Sequence, residues 1–272
     1  MKRLKWLGEL VFVGLGLHDH LGISLRGLEE TKTADDVFIE LYTSLLPVFS
    51  TKLFAKLSGK KPQLVVRQDL EERNGKIILD AAEAGKAVLL VPGDPFIATT
   101  HVALRIEAER RGIKTRIVHG ASVLSAAIGV SGLHNYKFGK SVTIPFPDDS
   151  SSQTPYEVIS QNKKLGLHTL CLLDIDVSGN RYLSIRDALR ELSRMETERK
   201  DNVVTLDTLV VGVARAGSLN PTVKAGSVRK IISYDFGQPP HSLVFPGKLH
   251  FMETEALIVL AGAPQTLRRL AE

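Results

Sequence analysis

The sequence predicts an α/β protein of two domains, on three observations. Short apolar runs alternate with longer amphipathic ones through the first half, a second series of the same kind starts after Gly139, and the stretch 129–139 before it holds three glycines beside polar residues. The expected division is 1–128, a linker at 129–139, and 140–272. A chain of 272 residues, 43% hydrophobic and 24% charged, has the composition of an ordinary globular protein and the length for one large core or two smaller ones.

Taken in order, the first strands are expected at 10–13, 37–41, 64–66, 88–91 and 116–118, each a short Val-, Ile- or Leu-rich run bounded by Gly, Pro or charge. Between them Ser24 caps a helix to Thr31 and Ser50 one to Leu57. Asp69 opens a helix that runs to Ala84 before Gly85, and Pro95 opens another that runs to Arg111 and stops at Gly112. This alternation implies a mostly parallel sheet covered on both faces. In the second series strands are expected at 141–144, 169–173, 209–213 and 243–245, and helices at 156–165, 184–198, 228–234 and 254–260. Residues 148–152 read as a surface loop.

The formal charge of +5 comes from 35 basic against 30 acidic residues, scattered rather than clustered. The basic runs at 2–5 and 109–111 lack interleaved aromatics, so they read as solvated surface and no nucleic-acid partner is expected. Cys171 is alone, which leaves no disulfide framework within the chain and makes a reducing, cytoplasmic setting the default. The opening stretch 1–17 has basic residues before apolar ones, but Glu9 interrupts it and no small-residue cleavage site follows. No apolar run approaches the roughly 20 residues that span a bilayer, so no membrane partner is expected.

Ligands of open parallel sheets collect beyond the carboxyl ends of strands, where loops expose backbone N–H groups. The sequence places three small-residue loops there. In AVLLVPGDPFIATTH (87–101), Gly93 admits a ligand to the main chain, and Asp94 either meets that ligand or caps a helix opened by Pro95. Gly14-Leu15-Gly16 forms a second glycine turn, and Val118-His119-Gly120-Ala121-Ser122 a third, with Ser122 equally suited to capping. Later strand ends fall at Leu173-Asp174, at 213–221 and at Pro239-Pro240-His241. Neither G-x-G-x-x-G nor the phosphate-binding G-x-x-x-x-G-K-[ST] occurs, which speaks against those nucleotide enzymes. With no H-E-x-x-H pair and no G-x-S-x-G elbow, no metal site and no serine hydrolase are expected.

Together, VGLGLHD, FIELYTSLL, VPGDPFIATTH, VHGASVLSAAIGVSGLHNYKFGKSVTIPFP, LGLHTLCLLDI, DTLVVGVARAGSLNP and DFGQPPHSLVFPGKLHFMETEAL resemble the diphthine synthase family, within the tetrapyrrole-methylase-like class of S-adenosylmethionine methyltransferases. The likeness covers essentially the whole chain. Gly120 departs from it, standing where a larger residue is expected, with looser local packing as the implied result.

The resemblance implies a tetrapyrrole-methylase-like fold with S-adenosylmethionine in a cleft between the two domains. Matched by motif, it implies cofactor contacts at Leu17, Asp94, Ile97, Ser122 and Val123, and at Leu173, Ala214 and His241. It further implies a homodimer that successively methylates the amino group of a 3-amino-3-carboxypropyl chain on a histidine of translation elongation factor 2. No catalytic residue is assigned, since solvent or a carboxylate can take the amine's proton. Two other readings stand at this stage: a methyltransferase of the same class acting on a corrin precursor or ribosomal RNA, and a basic RNA-binding module without catalysis.

Overall fold

A computed structural model describes residues 8–148 and 152–270. The basic run 2–5 and residues 149–151 of the expected loop lie outside the described residues. The chain divides into two compact units, Met1–Ser122 and Val123–Glu272.

The first unit runs β1 (Glu9–Gly14), α1 (Leu25–Lys32), β2 (Asp36–Glu40), α2 (Thr51–Ser58), β3 (Gln63–Val65), α3 (Lys76–Ala84), β4 (Lys86–Val91), α4 (Val102–Arg110) and β5 (Lys114–Val118). Its strands form one wholly parallel sheet in the order β3-β2-β4-β1-β5. The two-residue period of a strand sorts its apolar residues onto two faces. Leu10, Phe12, Leu89 and Val91 pack with Ile78 and Leu79 of α3 and Leu104 of α4, whereas Val11, Val13, Val88 and Leu90 pack on the opposite face with Phe54 of α2. Near-continuous apolar runs such as AVLLV follow from burial on both faces. Ser24 and Ser50 cap α1 and α2 as expected, accepting from the N–H groups of Gly27 and Leu53, and each cap contributes about 1 kcal/mol.

Two expected helices are shorter than the sequence suggests. The run from Asp69 breaks at Asn74 and Gly75, both at positive φ, so that a single turn at Gln68–Glu72 precedes α3. The helix expected from Pro95 begins only at Val102. The Pro95 carbonyl accepts from Thr99 Oγ1 and His101 Nδ1 instead of serving a first helical turn, and Ala98 sits at φ +56°.

The second unit continues with α5 (Val123–Ser131), β6 (Val142–Ile144), α6 (Thr154–Lys164), β7 (Thr169–Leu173), β8 (Ile175–Asp176), β9 (Arg181–Tyr182), α7 (Ile185–Arg199), β10 (Leu209–Ala214), β11 (Thr222–Ser227), α8 (Val228–Ile231), β12 (His241–Phe245) and α9 (Phe251–Ala261). The stretch 129–139, expected as a linker, includes the end of α5, the buried Leu133 and a 3-10 turn at Asn135–Lys137. The sheet order is β11-β10-β12-β7-β6, antiparallel except for β6 with β7. Two strand regions went unforeseen: β11, whose TVKAGS has little apolar alternation, and the β8-β9 hairpin, whose strands have two residues each. The helix expected at 228–234 is only α8. Among the described residues no helix is long and apolar enough to cross a membrane.

Candidate functional site

At the carboxyl edge of the first sheet the loops after β1, β4 and β5 meet. Gly16 and Gly93 form an isolated antiparallel bridge, with N···O distances of 3.2 and 2.7 Å. A β-carbon on Gly14 falls 2.5 Å from the Gly93 oxygen, and one on Gly120 falls 2.3 Å from the same atom. Glycine at 120 therefore tightens the packing of these loops, contrary to the loosening implied by the sequence departure. Three strand ends are locked backbone on backbone, while a β-carbon on Gly93 meets only Leu17 Cδ2 at 3.8 Å and Ala121 O at 3.9 Å.

Asp94 sits on this contact with its side chain 8% exposed. Its Oδ1 accepts the Phe96 N–H at 3.0 Å, and its Oδ2 lies 2.7 Å from Nδ1 of His119. The carboxylate thus caps a tight turn, not a helix. Ile97, half-buried, donates its N–H to the Asp94 carbonyl at 3.3 Å. Leu17 and Ser122, also half-buried, complete the set of first-unit residues at this edge.

Beneath the loop lies Glu40, the carboxylate of FIELYTSLL. It accepts the N–H groups of Tyr42 and Thr43 at 2.9 and 3.1 Å and pairs with the Thr43 hydroxyl. Burial nevertheless pushes its carboxyl up to about 7. His101 faces it at 3.9 Å through Nε2, a buried nitrogen with no hydrogen bond, and burial lowers the pKa of that imidazole.

In the second unit Ala214 pairs in register with His241, and Leu172 with Ser242, so that Leu173, His241 and Ala214 fall along one edge of β7, β12 and β10. Val123 opens α5 and packs against a core that includes Val213 and Val244. His241 donates from Nε2 to the Gly237 carbonyl at 3.1 Å, which leaves Nδ1 as a buried acceptor without a partner. Burial lowers its pKa, which favours the neutral ring. The loop before it is built by Arg215, missed by sequence reasoning. This residue, at φ +52°, donates to Phe236 O at 2.9 Å, to Gln238 O, and to Thr222 Oγ1 at 2.8 Å. Its signal was the ARAGSLNP motif itself.

The HNYKF, LGLHT and PGKLHFMETE segments resolve into architecture. Glu253, fully buried, takes Lys137 Nζ at 2.6 Å, His168 Nε2 at 2.8 Å, and the N–H groups of His134 and His250 at 2.8 Å each. Burial pushes its carboxyl up, but these donors hold it down to about 2. The arrangement seals the N-terminus of α9.

Each edge, taken by itself, sets apolar surface beside unpartnered polar atoms: in the first unit Leu17 and Ile97 with the open main chain of Gly93 and the buried Nδ1 of His18, and in the second Leu173 with the buried Nδ1 of His241 and Oγ of Ser218. No group of three or more His, Cys, Asp or Glu among the described residues is placed to hold a metal ion.

Residues 9–232 match the family described as Tetrapyrrole (Corrin/Porphyrin) Methylases. A diphthine synthase of Methanosarcina mazei is 47% identical over 264 residues, 95% of this chain and 98% of its own. One of Methanocella arvoryzae is 46% identical over 254 residues, 93% and 98% of the two chains. A crystal structure of diphthine synthase superposes with a TM-score of 0.88 at 43% identity, covering 97% of this chain and all of its own.

Proposed function

Since the chain belongs to the tetrapyrrole methylases, in the diphthine synthase family, we propose that it is the S-adenosylmethionine-dependent methyltransferase of diphthamide biosynthesis. Its substrate in this reading is the 3-amino-3-carboxypropyl-histidine of translation elongation factor 2, whose amino group is methylated in succession. In this reading the protein acts in the cytoplasm, the default setting for a chain with one cysteine, and as a homodimer, which the family resemblance implies. The observation that carries the reading is the end-to-end likeness to diphthine synthases, since a shared sheet and glycine loop alone fit other substrates of the class equally well.

S-adenosylmethionine, when bound, supplies an activated methyl group. The chain has to hold it, align the amine and keep water away, and alignment alone contributes several kcal/mol, roughly 7–11 at the upper limit. We assign its contacts to Leu17, Asp94, Ile97 and Ser122 of the first unit and Val123, Leu173, Ala214 and His241 of the second. The unmatched Nδ1 of His241 is suited to a ligand N–H or O–H donor, and the open face of Gly93 to close approach. Asp94 has both oxygens engaged by protein donors but keeps a lone pair on each.

Calorimetry with S-adenosylmethionine in the presence of a chelator, followed by mass spectrometry of elongation factor 2 carrying the unmethylated intermediate, tests this. Saturable binding and additions of one, two and then three methyl groups on the modified histidine are expected. Transfer to RNA or a corrin with the elongation factor unchanged removes the substrate assignment, and absence of binding removes the methyltransferase.

A further inference from the structure

We propose that Nε2 of His119 accepts the proton that the substrate's ammonium must lose before each methyl transfer, an inference that rests on the methyltransferase reading above. Its Nδ1 makes a short contact of 2.7 Å with Oδ2 of Asp94. A carboxylate oxygen that accepts here requires the hydrogen on Nδ1, and a neutral ring then carries its lone pair on Nε2. Exposure separates the two partners: the Asp94 side chain is 8% accessible and that of His119 72%, so the acid is sealed while the far edge of the imidazole projects outward. Among the described residues no side chain or main-chain group hydrogen-bonds Nε2, and Asp94 is the charged group bonded to the ring.

An exposed side chain ordinarily keeps its rotamer freedom, and fixing it has an entropic cost. Here a charge-assisted bond to an immobile acid supplies the compensation. Asp94 is itself immobile because Oδ1 holds the Phe96 N–H. Gly93 precedes Asp94 and Gly120 follows His119, and these two glycines are pressed together through their main chains. Acid, ring and loop form one rigid constellation at the strand ends where the cofactor contacts are assigned.

The alternatives within this edge are poorer. Glu40 has both oxygens occupied and is fully buried, and the buried His101 spends Nδ1 on the Pro95 carbonyl. In the step, one N–H bond of the ammonium breaks and its electron pair stays on nitrogen as the lone pair that would bond the methyl group, whose bond to the sulfonium sulfur breaks and leaves its pair on sulfur. The proton bonds to Nε2, Asp94 stays ionised and balances the imidazolium, and water removes the proton before the next round. Three transfers release three protons by this route.

Two measurements test it. Nitrogen NMR of the free, imidazole-labelled protein should show His119 protonated at Nδ1 and bare at Nε2. In His119→Gln, the first methyl transfer at neutral pH should slow by about a hundredfold, with cofactor affinity by calorimetry within about twofold of wild type and activity recovering as pH rises and free amine accumulates. A wild-type ring protonated at Nε2, or a variant with an unchanged rate, overturns the assignment and leaves the methyltransferase reading intact. Wild-type protein that binds no S-adenosylmethionine overturns both. Because the side chain is exposed, the variant should keep the wild-type melting temperature, and a collapse of both melting temperature and affinity would show a structural role instead.

Discussion

Replacing Glu253 by Gln keeps the volume of the side chain and removes its charge. Gln can still present an oxygen to His134 N–H and His168 Nε2, which bond Oε1. Its amide nitrogen then faces two donors, Lys137 Nζ and His250 N–H, which bond Oε2. Breaking a buried pair in this way costs about 3–5 kcal/mol. The titration gives a similar figure: a folded carboxyl held at about 2, against 4.5 for the free group, corresponds to about 3 kcal/mol. A depressed folded pKa contributes stability that is complete above the unfolded value and lost as pH falls through the folded one. The deficit of Glu253→Gln should therefore be about 3 kcal/mol at pH 7 and narrow steadily below pH 4.5. Urea unfolding of both proteins, monitored at the two pH extremes the wild type tolerates, measures this. A deficit below about 1 kcal/mol at pH 7, or one that stays constant down to pH 3, refutes the account of the hub.

Glu40→Gln should act with the opposite sign. The carboxyl raised to about 7 by burial penalises the folded state as pH rises from 4.5 through 7, so the variant should be at least as stable as wild type at pH 8 and lack the wild type's decline across that window in thermal melts. Asp94→Asn keeps an acceptor for Phe96 N–H but removes the carboxylate charge offered to the cofactor, so cofactor affinity should fall by more than the change in stability, which melting should put below about 1 kcal/mol; equal affinity would return the residue to a turn cap. His241→Phe retains the ring's contact with Phe236 and removes the unmatched Nδ1, and a loss of about tenfold in S-adenosylmethionine affinity by calorimetry is expected, with unchanged affinity removing His241 from the site.

The legible parts of the fold were those in which one local rule acts alone. The inner strands β1, β2 and β4 of the first unit announce themselves because both faces are buried, and the Ser24 and Ser50 caps because a hydroxyl before an amphipathic run has one competitive use. The helix expected from Pro95 failed where two rules competed. Asp-Pro is a good helix opening, yet Thr99 and His101 both reach back to the Pro95 carbonyl, and no window of sequence shows which acceptor a side chain will find. Likewise β11 carries Lys224, Gly226 and Ser227 and is recruited by its partner β10 rather than by its own pattern.

The candidate site divides along the same line. Gly14, Gly93 and Gly120 are visible as glycines at three strand ends, but their mutual contact depends on β1 lying between β4 and β5, a property of strand order that no motif encodes. That order also decides the chemistry. It brings the loop after β4 beside the loop after β5, 25 residues later, and so joins a carboxylate that reads as a helix cap to an imidazole that reads as an exposed loop residue. Neither residue type in isolation calls for a proton-transfer role, whereas a sealed acid bonded to the inner nitrogen of an exposed ring leaves the outer nitrogen with an unused lone pair. The role proposed for this edge thus depends on sheet topology acting on residues that the sequence shows only one at a time.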